Sequence, residues 1–197
     1  MKNVKDCILE IHNFLETTFL QIDHWFDRAE PCRQYKPLNG GWSVDQILEH
    51  ISLTNHFLLI LILKATKKSL EKKASTPDWQ QEVADYSFQL EKLQQVGVHK
   101  SFYWMRPEHM EPKGDITLVE VRQKLKEQLH QCLQVLDQLK NGEGALHKTT
   151  MTVNSLGKMD VYEYLYFLAQ HGQRHVTQME NNRAEFDSHG LVKQVFE

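Results

Sequence analysis

Apolar residues recur at three- and four-residue intervals along most of the chain, the spacing that an α-helix with one buried face requires. The first such stripe predicts a helix over about residues 3–28, which Pro31 and Pro37 bring to an end. Another stripe predicts a helix from Thr117 to the Asn141-Gly142 stop signal. Its apolar positions are Val121, Leu125, Leu129, Cys132, Leu133, Leu136 and Leu139.

Capping boxes mark where three of the helices begin. In this motif a side chain at the helix start and a Glu or Gln three residues later satisfy each other's backbone N–H groups. The signature predicts helices over about 43–68, 117–139 and 160–182. The three pairs are Ser43 with Gln46, Thr117 with Glu120, and Asp160 with Glu163.

The remaining segments complete an all-α pattern. Thr76 and Pro77 predict a thinly apolar, peripheral helix up to about residue 96, and the connector from Val98 to Asp115 carries aromatic residues that we expect to pack over the domain. Strand-like alternation is absent apart from a lone candidate at 148–153, so we expect no sheet. The fold predicted is a four-helix bundle with a long crossover and one extra peripheral helix. We assign residues 1–182 to this single domain and 183–197 to a C-terminal tail.

Composition narrows the classes of partner. The 197 residues carry 23 Lys and Arg against 26 Asp and Glu, a net charge of -3, so no basic field favours nucleic acid or a membrane surface. The longest apolar run, residues 57–63, is shorter than a bilayer crossing, and the N-terminal segment lacks a secretory pattern. We therefore expect a cytoplasmic protein. The three cysteines lack any CxxC spacing, which indicates reduced thiols.

Histidines supply the candidate chemistry. His171 and His175 lie four residues apart on the last helix, so both imidazoles project from one face and can bind one metal ion. His175 falls within the apolar arc of that helix, and His171 lies at its edge. In the second helix, His50 flanks the buried stripe and could face this pair. Three imidazoles with an open fourth position are typical of a catalytic site for Zn, Ni or Fe. The structural alternative is that the histidines only hydrogen-bond across the bundle.

These residues resemble a known family. The segment Gly41-Trp42-Ser43-x6-His50, together with His171-Gly-Gln-Arg-His175-Val-Thr-Gln178, is similar to the DinB-like superfamily of metal-binding four-helix bundles. That superfamily includes YfiT-like metal-dependent hydrolases and the bacillithiol- and mycothiol-dependent thiol transferases. The resemblance implies that His50, His171 and His175 hold a divalent metal, which activates a low-molecular-weight thiol such as bacillithiol for S-transfer, or water for hydrolysis. It also implies a small-molecule substrate and a homodimer.

Several alternatives stay open at this level. The triad of a stress-associated, metal-binding helical protein could be non-catalytic, and a helical interaction module would bind no metal. His12 either lines the pocket, where it could close the fourth position, or serves the core. Arg174 and Gln178 either orient a ligand or lie in solvent. Thr54 either hydrogen-bonds a metal-bound water or bonds back to its own helix.

Overall fold

The computed structural model describes residues 3–84, 86, 88, 90–99, 101, 107–151 and 156–195, without the side chains of 90, 91 and 189–195. Within this part the chain is helical apart from one short hairpin. The helices are α1 (Val4–Asp23), α2 (Glu30–Gln34), α3 (Val44–Ser75), α4 (Trp79–Glu82), α5 (Leu90–Gly97), α6 (Leu118–Gln138) and α7 (Val161–Val195). The strands are β1 (Thr149–Met151) and β2 (Gly157–Met159), and short 3-10 turns lie at His24–Asp27, Glu108–Met110 and Glu143–Leu146.

Four long helices form the predicted bundle. Helix α7 packs against both α1 and α3, while α6 packs against the same two helices from the other side. Helices α3 and α7 run antiparallel, because Asn182 of α7 donates a hydrogen bond to the carbonyl of Trp42, just before α3 begins (2.8 Å). The long crossover from α3 to α6 leaves these two helices parallel, and Gln128 of α6 donates to the Ser52 carbonyl midway (2.8 Å). The peripheral helix, α5, lies on the outer side of α7.

All three predicted capping boxes are formed. The Ser43 hydroxyl accepts from the Gln46 amide while the Gln46 side chain accepts from the Ser43 amide. Thr117 and Glu120 make the same pair of bonds at the start of α6. At the start of α7 the carboxylates of Asp160 and Glu163 each accept from the other's backbone N–H, at 3.0 and 2.9 Å. Since caps also fix the helix axis at its entry, these bonds hold α3 and α7 in the register that the site uses.

Three predictions about secondary structure need correction. The peripheral helix expected over 77–96 is two short helices, because α4 buries Trp79 and Val83 in a small separate cluster with Leu146, whereas α5 packs against α7. A sheet does occur, formed by β1 and β2 in antiparallel register from Thr149↔Met159 to Met151↔Gly157. Three residues per strand are too few to produce a readable alternation. The last helix, expected to end near residue 182, continues to Val195.

Helix α3 holds a long apolar stretch within the described chain. It is also the one helix there whose length and composition would suffice to cross a membrane, and 61% of its most apolar 18-residue window is buried. Burial of that kind is typical of the central helix of a soluble bundle, while a cytoplasmic location stays a prediction. The three cysteines are buried and none is in a disulfide, as their spacing predicted. The aromatic connector residues 102–105 lie outside the described residues.

Candidate metal centre

The antiparallel packing of α3 and α7 brings His50 against the His171 and His175 pair. One ring nitrogen from each of the three histidines lies within 4.8 Å of the other two. The Nε2 atoms of His171 and His175 are 3.1 Å apart, and the ring centroid of His50 lies 5.3 and 4.8 Å from theirs. Among the described residues no carboxylate, cysteine or further histidine joins this group. The predicted triad is therefore assembled in space, and its three side chains could hold a metal ion.

Burial favours the neutral form of the two imidazoles on α7. All three histidines are buried, with 4–6% of their surface exposed. Loss of hydration lowers the pKa of both His171 and His175 well below its usual value, and the neighbouring histidines and Arg174 lower it further. Only a neutral imidazole can donate a lone pair to a metal. The lowered pKa of His171 and His175 therefore favours the protonation state that metal binding requires.

Two outer hydrogen bonds set the tautomers. The Nδ1–H of His50 donates to the carbonyl oxygen of Met110 in the crossover (2.7 Å). The Nδ1–H of His175 donates to the side-chain oxygen of Gln178, one turn later on α7 (2.9 Å). Both bonds assign the ring proton to Nδ1, so that Nε2 presents its lone pair as the ligating atom. Such outer partners are the normal means by which proteins orient metal-binding histidines.

The nitrogen spacing suits a transition metal. With metal–nitrogen bonds of about 2.0–2.1 Å, two nitrogens on a tetrahedral ion are about 3.3 Å apart. The 3.1 Å between the Nε2 atoms of His171 and His175 is close to this value. Two lone pairs at that separation repel each other unless a proton or a cation lies between them. Neutral imidazoles bind Zn, Ni and Fe, so the donor set fits the expected class of metal without choosing among its members.

The surroundings of the triad combine an aromatic wall with a buried hydroxyl. The Trp42 ring packs on His50 with centroids 4.7 Å apart. Thr54, one turn after His50, is buried, and its hydroxyl has no hydrogen-bond partner among the described residues. It therefore does not bond back to its own helix. A buried hydroxyl with this exposure normally has a partner, which a ligand of the metal ion could supply.

A glycine between the two histidines brings α1 close. A Cβ at Gly172 would meet Cγ2 of Thr18 at 3.0 Å and Cδ1 of Ile22 at 3.2 Å. Only a residue without a side chain lets α1 pack so tightly on α7 at this level. The α1 side of the site is therefore closed by direct helix-to-helix contact.

The other residues singled out from the sequence have varied positions. His12 does not join the triad, because its side chain is 40% exposed and lies 3.4 Å from Glu16 on its own helix. Arg174 donates to the carbonyl of Val98 after α5 (3.1 Å) and lies near enough to both histidines of α7 to lower their pKa. Gln178 contacts His175 directly, which is the contact expected of a residue that orients this ring.

Three contributions were missed by sequence reasoning. The Met110 carbonyl that holds His50 is a backbone group sixty residues away, so no side-chain pattern could have indicated it. His99, which follows α5, lies close enough to His175 to lower its pKa. Glu49 is buried and bonded to the crossover. The one indication in the sequence that Glu49 is buried is its position in α3, between positions that are themselves buried.

Comparison with known protein families agrees with this geometry. The family model of the DinB superfamily matches residues 29–179, more than three quarters of the chain. The chain belongs to the DinB superfamily. The match includes all three clustered histidines and the capped starts of α3, α6 and α7. Searches of curated proteins and of solved structures give no match. Membership of the DinB superfamily thus rests on the family model, together with the all-α fold and the histidine cluster.

Proposed function

We propose that this member of the DinB superfamily is a metal-dependent enzyme that activates a bound nucleophile. The observation that carries the proposal is the convergence of three buried histidines without a fourth protein ligand among the described residues. Closed structural sites use four protein ligands, whereas catalytic sites keep a position for water or substrate. When bound, the metal would supply a Lewis acid that lowers the pKa of a coordinated thiol or water.

The residues of the chain would bind the metal, orient its ligands and position the nucleophile. His50, His171 and His175 would hold the metal as neutral ligands, with Met110 and Gln178 fixing the orientation of two of the rings. The Thr54 hydroxyl would hydrogen-bond the nucleophile, which supplies the partner that it lacks. The apolar wall at Trp42 would keep bulk water away and strengthen these interactions.

Two reactions share this arrangement. In S-transfer, a low-molecular-weight thiol such as bacillithiol loses its proton to solvent, its sulfur forms a bond to an electrophilic carbon, and the leaving group departs with the electron pair of the broken bond. In hydrolysis, water takes the place of the thiol: it loses a proton, its oxygen forms a bond to an ester or amide carbonyl carbon, and the C–O or C–N bond breaks so that the alcohol or amine leaves with the electron pair and takes up a proton. The family resemblance favours the thiol, and the residues of the site serve either nucleophile.

Metal content is the first test. Untagged protein, purified without chelator, should contain about one equivalent of Zn, Ni or Fe by elemental mass spectrometry, as expected for one three-histidine site. The double variant His171→Ala, His175→Ala should contain none while keeping its helical circular dichroism. Absence of metal from the wild-type protein would contradict the proposal.

Activity is the second test. Metal-loaded protein is incubated with bacillithiol, cysteine or glutathione and an aryl chloride electrophile, and loss of thiol is followed alongside chloride release. A parallel assay uses an activated ester without thiol. Consumption of thiol at a rate that depends on both metal and protein supports S-transfer, while turnover of the ester alone supports hydrolysis. If protein that holds a full equivalent of metal catalyses neither reaction, the result favours the alternative, which is a non-catalytic metal-binding or stress-associated helical protein.

We also propose a homodimer. Outward-facing apolar residues on α3 support this, since Ile60, Leu61 and Leu63 are 51%, 37% and 47% exposed. An apolar patch of this kind is stabilised when a second copy covers it. Light scattering should give twice the mass of 23.2 kDa. The variant Ile60→Glu, Leu63→Lys should give the monomer mass, and a monomeric wild-type protein would contradict the proposal.

A further inference from the structure

The end of the crossover is tied to α3 at two neighbouring residues. Nδ1 of His50 bonds the Met110 carbonyl at 2.7 Å. The carboxylate of Glu49 accepts from the backbone N–H of Lys113 at 3.0 Å and from that of Gly114 at 3.0 and 3.2 Å. Consecutive residues on a helix point about 100° apart. His50 and Glu49 therefore hold the crossover from two directions.

We propose that Glu49 is a positioning residue for the metal centre, which holds the crossover so that the Met110 carbonyl fixes the Nδ1–H tautomer of His50. The inference rests on the proposed function in that His50 is taken as a metal ligand. Glu49 touches neither the metal nor the substrate. Its effect passes through the backbone of residues 110–114.

The segment between the two anchors is stiff enough to transmit this position. Glu111 is extended (φ -78°, ψ 134°), as a residue before proline prefers. Pro112 has a fixed φ and no N–H, so it neither bends freely nor competes for the carboxylate. Gly114 has a φ of +74°, a conformation that glycine adopts at little cost and that turns its N–H toward Glu49. A shift at Lys113 and Gly114 is therefore carried to the Met110 carbonyl.

The burial of Glu49 indicates that its contact with the crossover is specific. Glu49 is only 7% exposed, and the three hydrogen bonds described above all come from backbone amides of the crossover. A carboxylate that is buried and bonded to backbone N–H groups gains charge-assisted hydrogen bonds that a solvent-exposed one does not need. Without them the end of the crossover would be tied to α3 through His50 alone among the bonds described here, and the His50 ring would lose its fixed acceptor.

The test measures the tautomer of His50 in metal-free protein. Ring ¹⁵N NMR signals at pH 7.5 report which nitrogen carries the proton. In the wild-type protein we expect His50 to be protonated at Nδ1, and in Glu49→Ala to populate both tautomers. Glu49→Gln keeps one acceptor oxygen, so we expect an intermediate result, and it serves as the second variant if the alanine protein fails to fold.

The matched control is Glu120→Ala. Glu120 accepts from the backbone N–H of Thr117, three residues beyond Gly114, so its loss loosens the same loop end from the α6 side without touching His50. We expect its His50 tautomer to equal that of the wild-type protein. An unchanged tautomer in both Glu49 variants would overturn the inference.

Metal affinity gives an independent readout. Competition with a chromophoric chelator should show Zn²⁺ bound roughly tenfold more weakly by Glu49→Ala than by the wild-type or Glu120→Ala protein, the lower end of the effect known for outer partners of metal ligands. Equal affinities would contradict the inference. A wild-type protein that binds no Zn²⁺ would contradict the proposed function alone, and the tautomer in metal-free protein would still decide the role of Glu49.

Discussion

Helix α7 carries two buried clusters of ionisable side chains, and they differ in a way that distinguishes a binding site from a structural element. At its start Asp160 and Glu163 are fully buried, and the Tyr86 hydroxyl donates to Asp160 at 3.3 Å. Eleven residues later, about 16 Å along the axis, His171 and His175 meet His50 of α3. Sequence position and burial alone would mark both clusters as functional candidates.

The direction of the hydrogen bonds separates the two clusters. Asp160 and Glu163 accept each other's backbone N–H groups, so their bonds close on the helix start itself. Burial and the neighbouring Glu163 raise the pKa of Asp160 to about 7, so that a proton on Asp160 relieves the repulsion between the two carboxyl groups. In the histidine cluster the known outer bonds are made by Nδ1, and the Nε2 atoms of the α7 pair face each other at 3.1 Å. The candidate binding site is therefore identified by ring nitrogens whose lone pairs point toward one another, and not by the burial of ionisable groups alone.

The largest expected difference is in metal binding. His175→Ala should weaken Zn²⁺ binding by more than about 100-fold, beyond the range produced by loss of an outer partner. Asp160→Asn, a matched change in the other cluster, should leave the affinity unchanged. Isothermal titration of Zn²⁺ into both proteins measures this. Similar losses in the two variants would show that the two clusters act as one unit.

The second difference concerns the pH dependence of stability. Because the folded state raises the pKa of Asp160 from 3.8 to about 7, the stability that its proton contributes is complete below pH 4 and is lost as the pH rises to 7. The slope is up to about 1.4 kcal/mol per pH unit. In Asp160→Asn this contribution should disappear. Urea unfolding of metal-free wild-type and variant proteins at pH 5 and 7 measures it.

The histidine cluster should give the opposite slope. Folding lowers the pKa of His171 and His175 below 6.5, so the unfolded chain binds more protons as the pH falls through that value, and stability decreases. The difference between wild-type and Asp160→Asn proteins isolates the acidic contribution, since both contain the histidines. An equal pH dependence in the two proteins would contradict the assignment to Asp160.

A smaller effect is expected at the outer partner Gln178. Gln178→Ala removes the acceptor for Nδ1 of His175, and Zn²⁺ affinity should fall about tenfold. Gln173→Ala is the control, since Gln173 lies on the same helix and, among the described residues, its hydrogen bond is the one that its carbonyl accepts from Thr177. Its affinity should match that of the wild-type protein. Chelator competition compares the two, and equal affinities would remove Gln178 from the site.

The smallest effect is expected at Thr54. Its buried hydroxyl has no partner among the described residues, so the isosteric change Thr54→Val should raise the free energy of unfolding of metal-free protein by about 1 kcal/mol. The same change should slow turnover by metal-loaded protein without altering Zn²⁺ affinity. Denaturant titration and the thiol assay measure the two effects. A loss of stability in Thr54→Val would show that the hydroxyl is already satisfied in the folded protein.

The local signals in the sequence predicted much of this fold. Ser43 with Gln46, and Thr117 with Glu120, form the capping boxes that their spacing predicts, because a capping box involves only residues three apart. The four-residue spacing of His171 and His175 likewise follows from one helical turn. The grouping of the three histidines could be predicted only from the family resemblance, since no local sequence pattern shows that α3 runs antiparallel beside α7.

The parts that could not be predicted depend on tertiary contacts. Helix α4 stops at Glu82 because Trp79 and Val83 pack against Leu146, which the local pattern does not contain. The bond from His50 to Met110 joins positions sixty residues apart. The extension of α7 beyond residue 182 includes Glu185, whose carboxylate accepts from Tyr35 (2.8 Å) and from the Leu38 backbone (2.7 Å), so partners distant in sequence hold it.

The close approach of α1 at Gly172 has a consequence for engineering the site. Because a Cβ there would press on Thr18 and Ile22, Gly172→Ala would act as a wedge of one methyl group between α1 and α7. It would widen the bundle beside the metal ligands without replacing any of them. Together with Thr18→Ser, which removes the methyl group in its way, it offers a graded adjustment of the spacing between α1 and α7 beside the three histidines.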